Sequence, residues 1–212
     1  MANGAKIESS YYADLDKVVK WFIYLRWIAA AGVAVALLAA QLLIKYDLPY
    51  LLLYSLTAAL FAANLIFSIL KHRRSEDLIQ RRQLAFQFHL QISSDFTFLF
   101  LLIFFTGFFQ NPLIYYFVFH LMLASFIFPK RIVYVYLFSL VALMAVVIPL
   151  QYFHVVPHYA LSISGKGPGD YYTNLPFQGF ALVSTIILAT YLIVNIKERI
   201  EKRGHQVELE LN

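Results

Sequence analysis

Six long apolar stretches constrain this chain more than any other feature of its sequence. A helix needs about 20 mostly apolar residues to cross a hydrocarbon layer about 30 Å thick. Six stretches reach or approach that length, at residues 21–44, 48–70, 84–106, 113–128, 132–153 and 177–196. The fourth is the shortest, and a re-entrant segment is the alternative interpretation for it. The pattern predicts an all-α, polytopic membrane protein built as a bundle of six transmembrane helices.

The composition excludes an ordinary soluble domain. Hydrophobic residues make up 61% of the chain and charged residues only 14%, against about 25% charged residues in soluble proteins. This apolar surplus predicts the lipid bilayer as the surrounding solvent. The chain has no cysteine, so its residues offer no disulfide and no thiolate ligand for a metal.

The distribution of Lys and Arg predicts the orientation in the membrane. Fifteen of the 17 basic residues lie in the leader through Arg26, in segment 71–83, in segment 129–131 or in the tail, whereas Lys45 and Lys166 lie on the opposite side. Cytoplasmic loops carry the excess of positive charge, so both termini are expected in the cytoplasm. The basic residues flank apolar spans without forming a stripe with stacking aromatics, which argues against a nucleic-acid partner.

Three regions follow from this reading. Residues 1–20 form a cytoplasmic leader, residues 21–196 form the transmembrane domain, and residues 197–212 begin a cytoplasmic signalling helix. Ile193, Ile196, Ile200 and Val207 fit the a and d positions of a heptad, which predicts a homodimer. The alternative is a frayed basic tail, because Arg203 interrupts the seam and Gly204 weakens the helix.

The third span carries the ionisable residue that is hardest to explain in a membrane. Asp95 continues a series of glutamines at four-residue intervals, and an Asp at a helix centre costs about 2.5 to 3.5 kcal/mol on translocon scales. The candidate intramembrane polar residues are Asp95, Gln91, His120 and Asn64, with Gln83, Gln87 and Ser68 beside them. The stripe is expected to face other helices, with Asn64 and Ser68 as partners and an Asp95–His120 hydrogen bond as one option. Simple helix–helix adhesion is the alternative.

Histidine spacing argues against haem and metal sites. His89 and His120 lie at different depths in their spans, so one iron cannot bridge them. His154 and His158 have a spacing that suits two ligands on one helical face, but Pro157 between them disfavours a helix. No metal site is predicted.

The turn between the third and fourth spans has residues that suit helix ends. Gly107 permits a helix to end, Asn111 is a suitable cap and Pro112 suits a first turn. Aromatic side chains crowd this turn. A flat apolar ring with carbonyl acceptors is therefore a plausible ligand for it.

This turn resembles one in a known family, the membrane domain of redox-responsive sensor histidine kinases of the RegB/PrrB type. That family has six spans and a Gly-Gly-x-x-Asn-Pro-Phe turn implicated in quinone sensing. Thr106, Gly107, Asn111 and Pro112 match the turn, whereas Phe108 stands in place of its second glycine and Leu113 in place of its phenylalanine. Other similar features are Asp95, the sequence Pro129, Lys130, Arg131, and the sequence Leu25, Arg26, Trp27.

The resemblance implies a sensory input domain in a bacterial inner membrane. It implies a quinone, ubiquinone or menaquinone, as the sensed ligand, held at Thr106, Gly107, Phe108, Asn111 and Pro112. A cytoplasmic kinase core in the same parent chain and a response regulator are the implied partners, and these 212 residues would not themselves be catalytic. The alternatives are a small transporter or channel subunit, and a membrane enzyme acting on a quinone or lipid.

Overall fold

The computed structural model describes residue 21 and residues 23–72, 80–159 and 171–210. The predicted leader and parts of the predicted loops 71–83 and 154–176 lie outside these residues. Helix α1 is Ile23–Ile44, α2 is Tyr50–His72, α3 is Gln80–Phe104, α4 is Tyr116–Ile127, α5 is Lys130–Tyr152 and α6 is Tyr171–Glu210. Two short 3₁₀ turns, Phe108–Gln110 and Pro112–Tyr115, join α3 to α4.

Five of the described helices are long and apolar enough to cross a membrane, which confirms the all-α, membrane-type fold. They are α1, α2, α3, α5 and α6. The fourth predicted span is shorter, since the apolar segment Pro112–Ile127 includes a 3₁₀ turn before α4 begins. Large apolar side chains point outward, and Leu51 and Leu43 are 85% and 81% exposed. Such surfaces suit contact with lipid.

Local sequence explains where several helices end. Lys45, with φ 59°, returns its N–H to the carbonyl of Ala40 and closes the π turn Ala40–Ile44 at the end of α1. Phe128 is extended, with φ −104° and ψ 155°. A residue before proline is disfavoured in the helical region, so Pro129 separates α4 from α5.

The chain divides into two compact units, Met1–Gln87 and Phe88–Asn212. In the second unit, α4, α5 and α6 pack against one another. The face that α5 buries recurs at steps of three and four residues, as expected for one side of a helix. Its members are Val133, Leu137, Leu140, Met144, Val147 and Gln151.

Helix α6 crosses the predicted boundary between membrane span and tail without a break. It runs for 40 residues from Tyr171 to Glu210. Gly204 lies inside it, because one glycine costs a helix only about 1 kcal/mol. Leu182, Ile186 and Val194 form part of its buried face.

Candidate functional site

The turn between α3 and α4 has an unusual backbone at two successive residues. Gly107 has φ 99° and Phe108 has φ 47°. Glycine adopts positive φ without steric cost, whereas an aromatic residue does so only under strain. Phe108 is nonetheless fully buried, at 0% exposure. The tertiary packing of its ring therefore holds the backbone in this conformation.

The Phe108 ring is part of an aromatic cluster at this turn. It meets Phe109 edge-on, with ring centroids 4.7 Å apart, and it lies 6.3 Å from Phe100. The centroid of the Tyr159 ring, which follows α5, lies 6.2 Å from that of Phe104 and 5.3 Å from that of Phe105. Phe108 thus fills the centre of the turn, at the position where the resembling family has a glycine.

Asn111 and Thr106 hold the turn together through hydrogen bonds. The Asn111 Oδ1 accepts from the Leu113 N–H at 2.9 Å, which confirms the predicted cap, and Pro112 begins the 3₁₀ turn as expected. The Asn111 Nδ2 donates to the Thr106 Oγ1 at 2.5 Å, and that hydroxyl donates to the carbonyl of Leu102. The turn places the predicted ligand residues together, and both the Oδ1 and the Nδ2 of Asn111 have bonds within it.

The predicted polar stripe of α3 is buried where its side chains are described. Gln87 and Gln91 are 7% and 1% exposed, as is required of a stripe that faces other helices. Asp95 is partly buried, and the side chain of Gln83 lies outside the described residues. The His120 Nδ1 lies 2.8 Å from the carbonyl oxygen of Tyr116, one turn earlier in α4. The Asp95–His120 hydrogen bond stays a prediction.

Asn64 has a different partner from those predicted. Its Oδ1 accepts from the Arg26 Nε at 2.9 Å, and its Nδ2 donates to the Arg26 carbonyl at 3.2 Å. The guanidinium lies 4.7 Å from the centre of the Phe67 ring. Arg26 is 6% exposed, so its side chain is buried. The Asn64 side-chain oxygen and the face of the Phe67 ring stabilise the charge inside the unit.

A second polar cluster joins α3 to α5 and escaped the sequence analysis. The Tyr136 hydroxyl lies 3.1 Å from the His89 Nδ1 and 3.2 Å from the Ser93 Oγ. We call His89, Ser93 and Tyr136 the polar triad. Polar residues at 89, 93 and 97 repeat every four residues, which was the available signal. Glutamines repeat at the same interval on another face of this helix, and they form the polar face that the sequence predicts.

Two consecutive residues of α6 hold the turn between α4 and α5. The Lys197 Nζ donates to the carbonyl oxygens of Ser125 and Phe128 at 2.6 and 3.3 Å. The Glu198 carboxylate lies 2.7 Å from the Lys130 Nζ. We call these contacts the charge clasp. A cation thus meets the carbonyl end of α4 and an anion meets the amino end of α5, as the helix dipoles favour.

Among the described residues, no group of three or more His, Asp or Glu side chains is placed to hold a metal ion. His154 and His158 follow the end of α5 in irregular backbone, consistent with the effect expected of Pro157. No family model, no curated protein and no solved structure matches this chain.

Proposed function

We propose that this chain is the sensory input domain of a two-component histidine kinase in a bacterial inner membrane. The observation that carries the proposal is α6, a single helix that packs on α4 and α5 and continues to Glu210. Forty residues at 1.5 Å each extend about 60 Å, about twice the thickness of a hydrocarbon layer. One rigid element therefore joins the apolar bundle to a charged, water-compatible segment.

The charge clasp supports transmission through this helix. Lys197 and Glu198 attach α6 to both helices of the α4–α5 turn. A shift or rotation of that turn must move α6 or break the clasp. Packed helices switch between discrete arrangements by such small shifts and rotations. A signal detected in the bundle would therefore reach the kinase core as a displacement of α6.

Exposed residues on α6 support a homodimer. Ile196 and Ile200 are 55% and 64% exposed, one turn apart on the same side of the helix. Ile193 is partly buried, and the side chain of Val207 lies outside the described residues. A second copy of α6 would cover this stripe in a parallel coiled coil.

The six-span topology with both termini inside belongs to the same proposal. Pro112–Ile127, taken as four 3₁₀ residues and twelve α-helical residues, extends about 26 Å. That length approaches the hydrocarbon thickness of about 30 Å. The basic residues Lys130, Arg131 and Lys197 then lie at the cytoplasmic end of the bundle, as the positive-inside rule requires.

A quinone is the proposed ligand, and Thr106, Gly107, Phe108, Asn111 and Pro112 are its proposed site. Supporting features are the aromatic cluster and the amide of Asn111. Ligand pockets of this class are mostly apolar, with a few placed polar groups. Because Phe108 fills the turn, a ligand there would have to lie against the outside of the ring cluster.

The first test concerns the parent gene. We expect the coding sequence beyond Asn212 to continue the α6 heptads into a phosphoacceptor helix pair and an ATP-binding domain. A parent protein with no kinase core would contradict the proposal and favour the transporter or channel interpretation.

The second test concerns transmission, with the distance between spin labels at position 203 of two copies as the measurement. We expect Glu198→Lys to broaden or shift the distance distribution, and we expect Glu198→Lys with Lys130→Glu to restore it. Arg131→Glu is the matched control, because Arg131 is exposed and adjacent to the clasp. An unchanged distribution in Glu198→Lys would show that the clasp does not set the position of α6.

A further inference from the structure

The Tyr136 hydroxyl lies within hydrogen-bonding distance of the His89 Nδ1, the Ser93 Oγ and the His89 carbonyl oxygen. The Tyr136 hydroxyl has one hydrogen, and the His89 Nδ1 at 3.1 Å is a closer acceptor than the His89 carbonyl at 3.4 Å. When Tyr136 donates to Nδ1, the neutral imidazole carries its hydrogen on Nε2. The Nε2–H is then a donor whose direction is fixed by the Tyr136 bond.

The His89 Nε2 is the second hydrogen-bonding position of the ring. Within the described part of the chain, the hydrogen bond of the His89 ring is made by Nδ1 alone. His89 is partly buried, and Ser93 and Thr97, one and two turns further along the same side of α3, are exposed. A donor left unsatisfied in lipid is costly. An intramembrane polar group of this kind is a candidate for ligand binding.

The surroundings of the triad suit a flat ring. The His89 ring stacks on Phe128 with centroids 4.1 Å apart and planes 12° apart. The Tyr136 ring stacks on Phe96 at 5.6 Å with planes 6° apart. The Nε2–H lies in the plane of the imidazole, so a carbonyl oxygen at the edge of this ring would accept its hydrogen bond.

We propose that His89, Ser93 and Tyr136 form a binding site for a lipid-soluble, flat-ring carbonyl compound of the quinone class. The proposal rests on the proposed function and adds a second site for its ligand, at the inner end of the bundle. His89 donates from Nε2 to a carbonyl oxygen, and Ser93 offers a second hydroxyl beside it. The triad itself carries no fixed charge, so a neutral carbonyl suits it better than a phosphate.

The site has a physical basis for distinguishing oxidised from reduced ligand. An oxidised quinone presents a carbonyl oxygen, which is a good acceptor for the Nε2–H. The phenolic oxygen of the reduced form is a weaker acceptor, because its lone pair is delocalised into the ring. The oxidised form is therefore bound more tightly. Phe128 stacks on His89 and also accepts a hydrogen bond from Lys197, so occupancy of the site acts directly on the charge clasp.

The experiment is an equilibrium titration of the full chain in phosphatidylcholine nanodiscs with a short-chain ubiquinone. Binding is followed by quenching of the intrinsic fluorescence of its 15 Tyr and 2 Trp residues. His89→Phe keeps a flat ring against Phe128 and removes the donor, so we expect about tenfold weaker binding, the value of one net hydrogen bond of about 1.4 kcal/mol. Tyr136→Phe should weaken binding similarly.

Tyr134→Phe is the matched control, since it removes a phenolic hydroxyl from the same helix without touching the triad. We expect it to bind as wild type does. Asn111→Ala tests the outer turn. We also expect wild type, but not His89→Phe, to prefer the oxidised over the reduced form.

These variants distinguish the triad site from quinone sensing in general. Loss of affinity in Asn111→Ala with none in His89→Phe or Tyr136→Phe would overturn the triad site and leave quinone sensing standing. Wild-type protein that does not bind the quinone would overturn quinone sensing itself. Displacement of the quinone by phosphatidylglycerol in the nanodisc would assign the triad to a lipid head group and overturn the proposal.

Discussion

At the scale of single residues, Phe108 shows how packing overrides backbone preference. A non-glycine residue at positive φ costs about 1 to 2 kcal/mol, yet Phe108 is held at φ 47° with its ring fully buried. Losing a buried Phe side chain costs about 3 to 5 kcal/mol. The ring contacts therefore outweigh the strain.

This balance predicts the effect of Phe108→Gly. We expect the free energy of unfolding to fall by about 2 kcal/mol, because the lost ring contacts exceed the relief of strain. Denaturant titration of the protein in detergent micelles measures it. Gly107→Ala should also destabilise the protein, because alanine is strained at the φ of 99° that Gly107 adopts. No side-chain contact is lost in this variant. A Phe108→Gly variant more stable than wild type would mean that the ring contributes little.

His158 lies outside the membrane-spanning segments, and its pKa predicts that the stability of the protein depends on pH. Burial lowers the pKa of His158 from 6.5 to about 4. Between these two values the unfolded chain binds more protons than the folded chain, so stability falls as the pH falls through this window and is greatest above pH 6.5. The melting temperature should therefore be lower at pH 5 than at pH 7, and the difference should shrink in His158→Gln. An equal difference in that variant would assign the effect to another group.

At the scale of the elements, the contact between α5 and α6 depends on a glycine. A Cβ on Gly179 would lie 2.8 Å from the Ile148 Cδ1, so the tip of the Ile148 side chain packs against the α6 backbone at this point. Small residues permit such close contacts between membrane helices, where association depends on packing. Gly32 in α1 has nothing within 4 Å of a built Cβ.

These two glycines give a matched pair of substitutions. Gly179→Leu should destabilise the protein by about 1 to 3 kcal/mol through overpacking, whereas Gly32→Leu should be close to neutral. Unfolding in mixed micelles of increasing sodium dodecyl sulfate measures both. Equal destabilisation by the two variants would point to helix propensity or lipid contact as the cause.

At the scale of the whole molecule, the topology is the broadest prediction. Positions 76 and 166 lie outside the described residues and fall on the two predicted sides of the membrane. Since the chain has no cysteine, a single cysteine can be placed at either position without background labelling. In intact cells we expect an impermeant reagent to label position 166 and to spare position 76. The reverse pattern would overturn the proposed orientation.

Residues close in sequence determined much of this protein without reference to its tertiary structure. Apolar length predicted the five long helices, and the backbone preferences of Gly107, Asn111 and Pro112 predicted how α3 ends and the next turn begins. Pro129 similarly separates α4 from α5. These features depend on solvation and on backbone sterics, which act over a few residues.

Only the tertiary structure decided which polar groups meet. Arg26 and Asn64 are 38 residues apart, His89 and Tyr136 are 47 apart, and Lys197 and Ser125 are 72 apart. Helical periodicity shows which residues share a face, but it does not show which neighbouring helix that face contacts or at what depth. The burial of Arg26, the polar triad and the charge clasp therefore followed from how helices pack, because a polar group in a membrane is stabilised by the partner that packing places beside it.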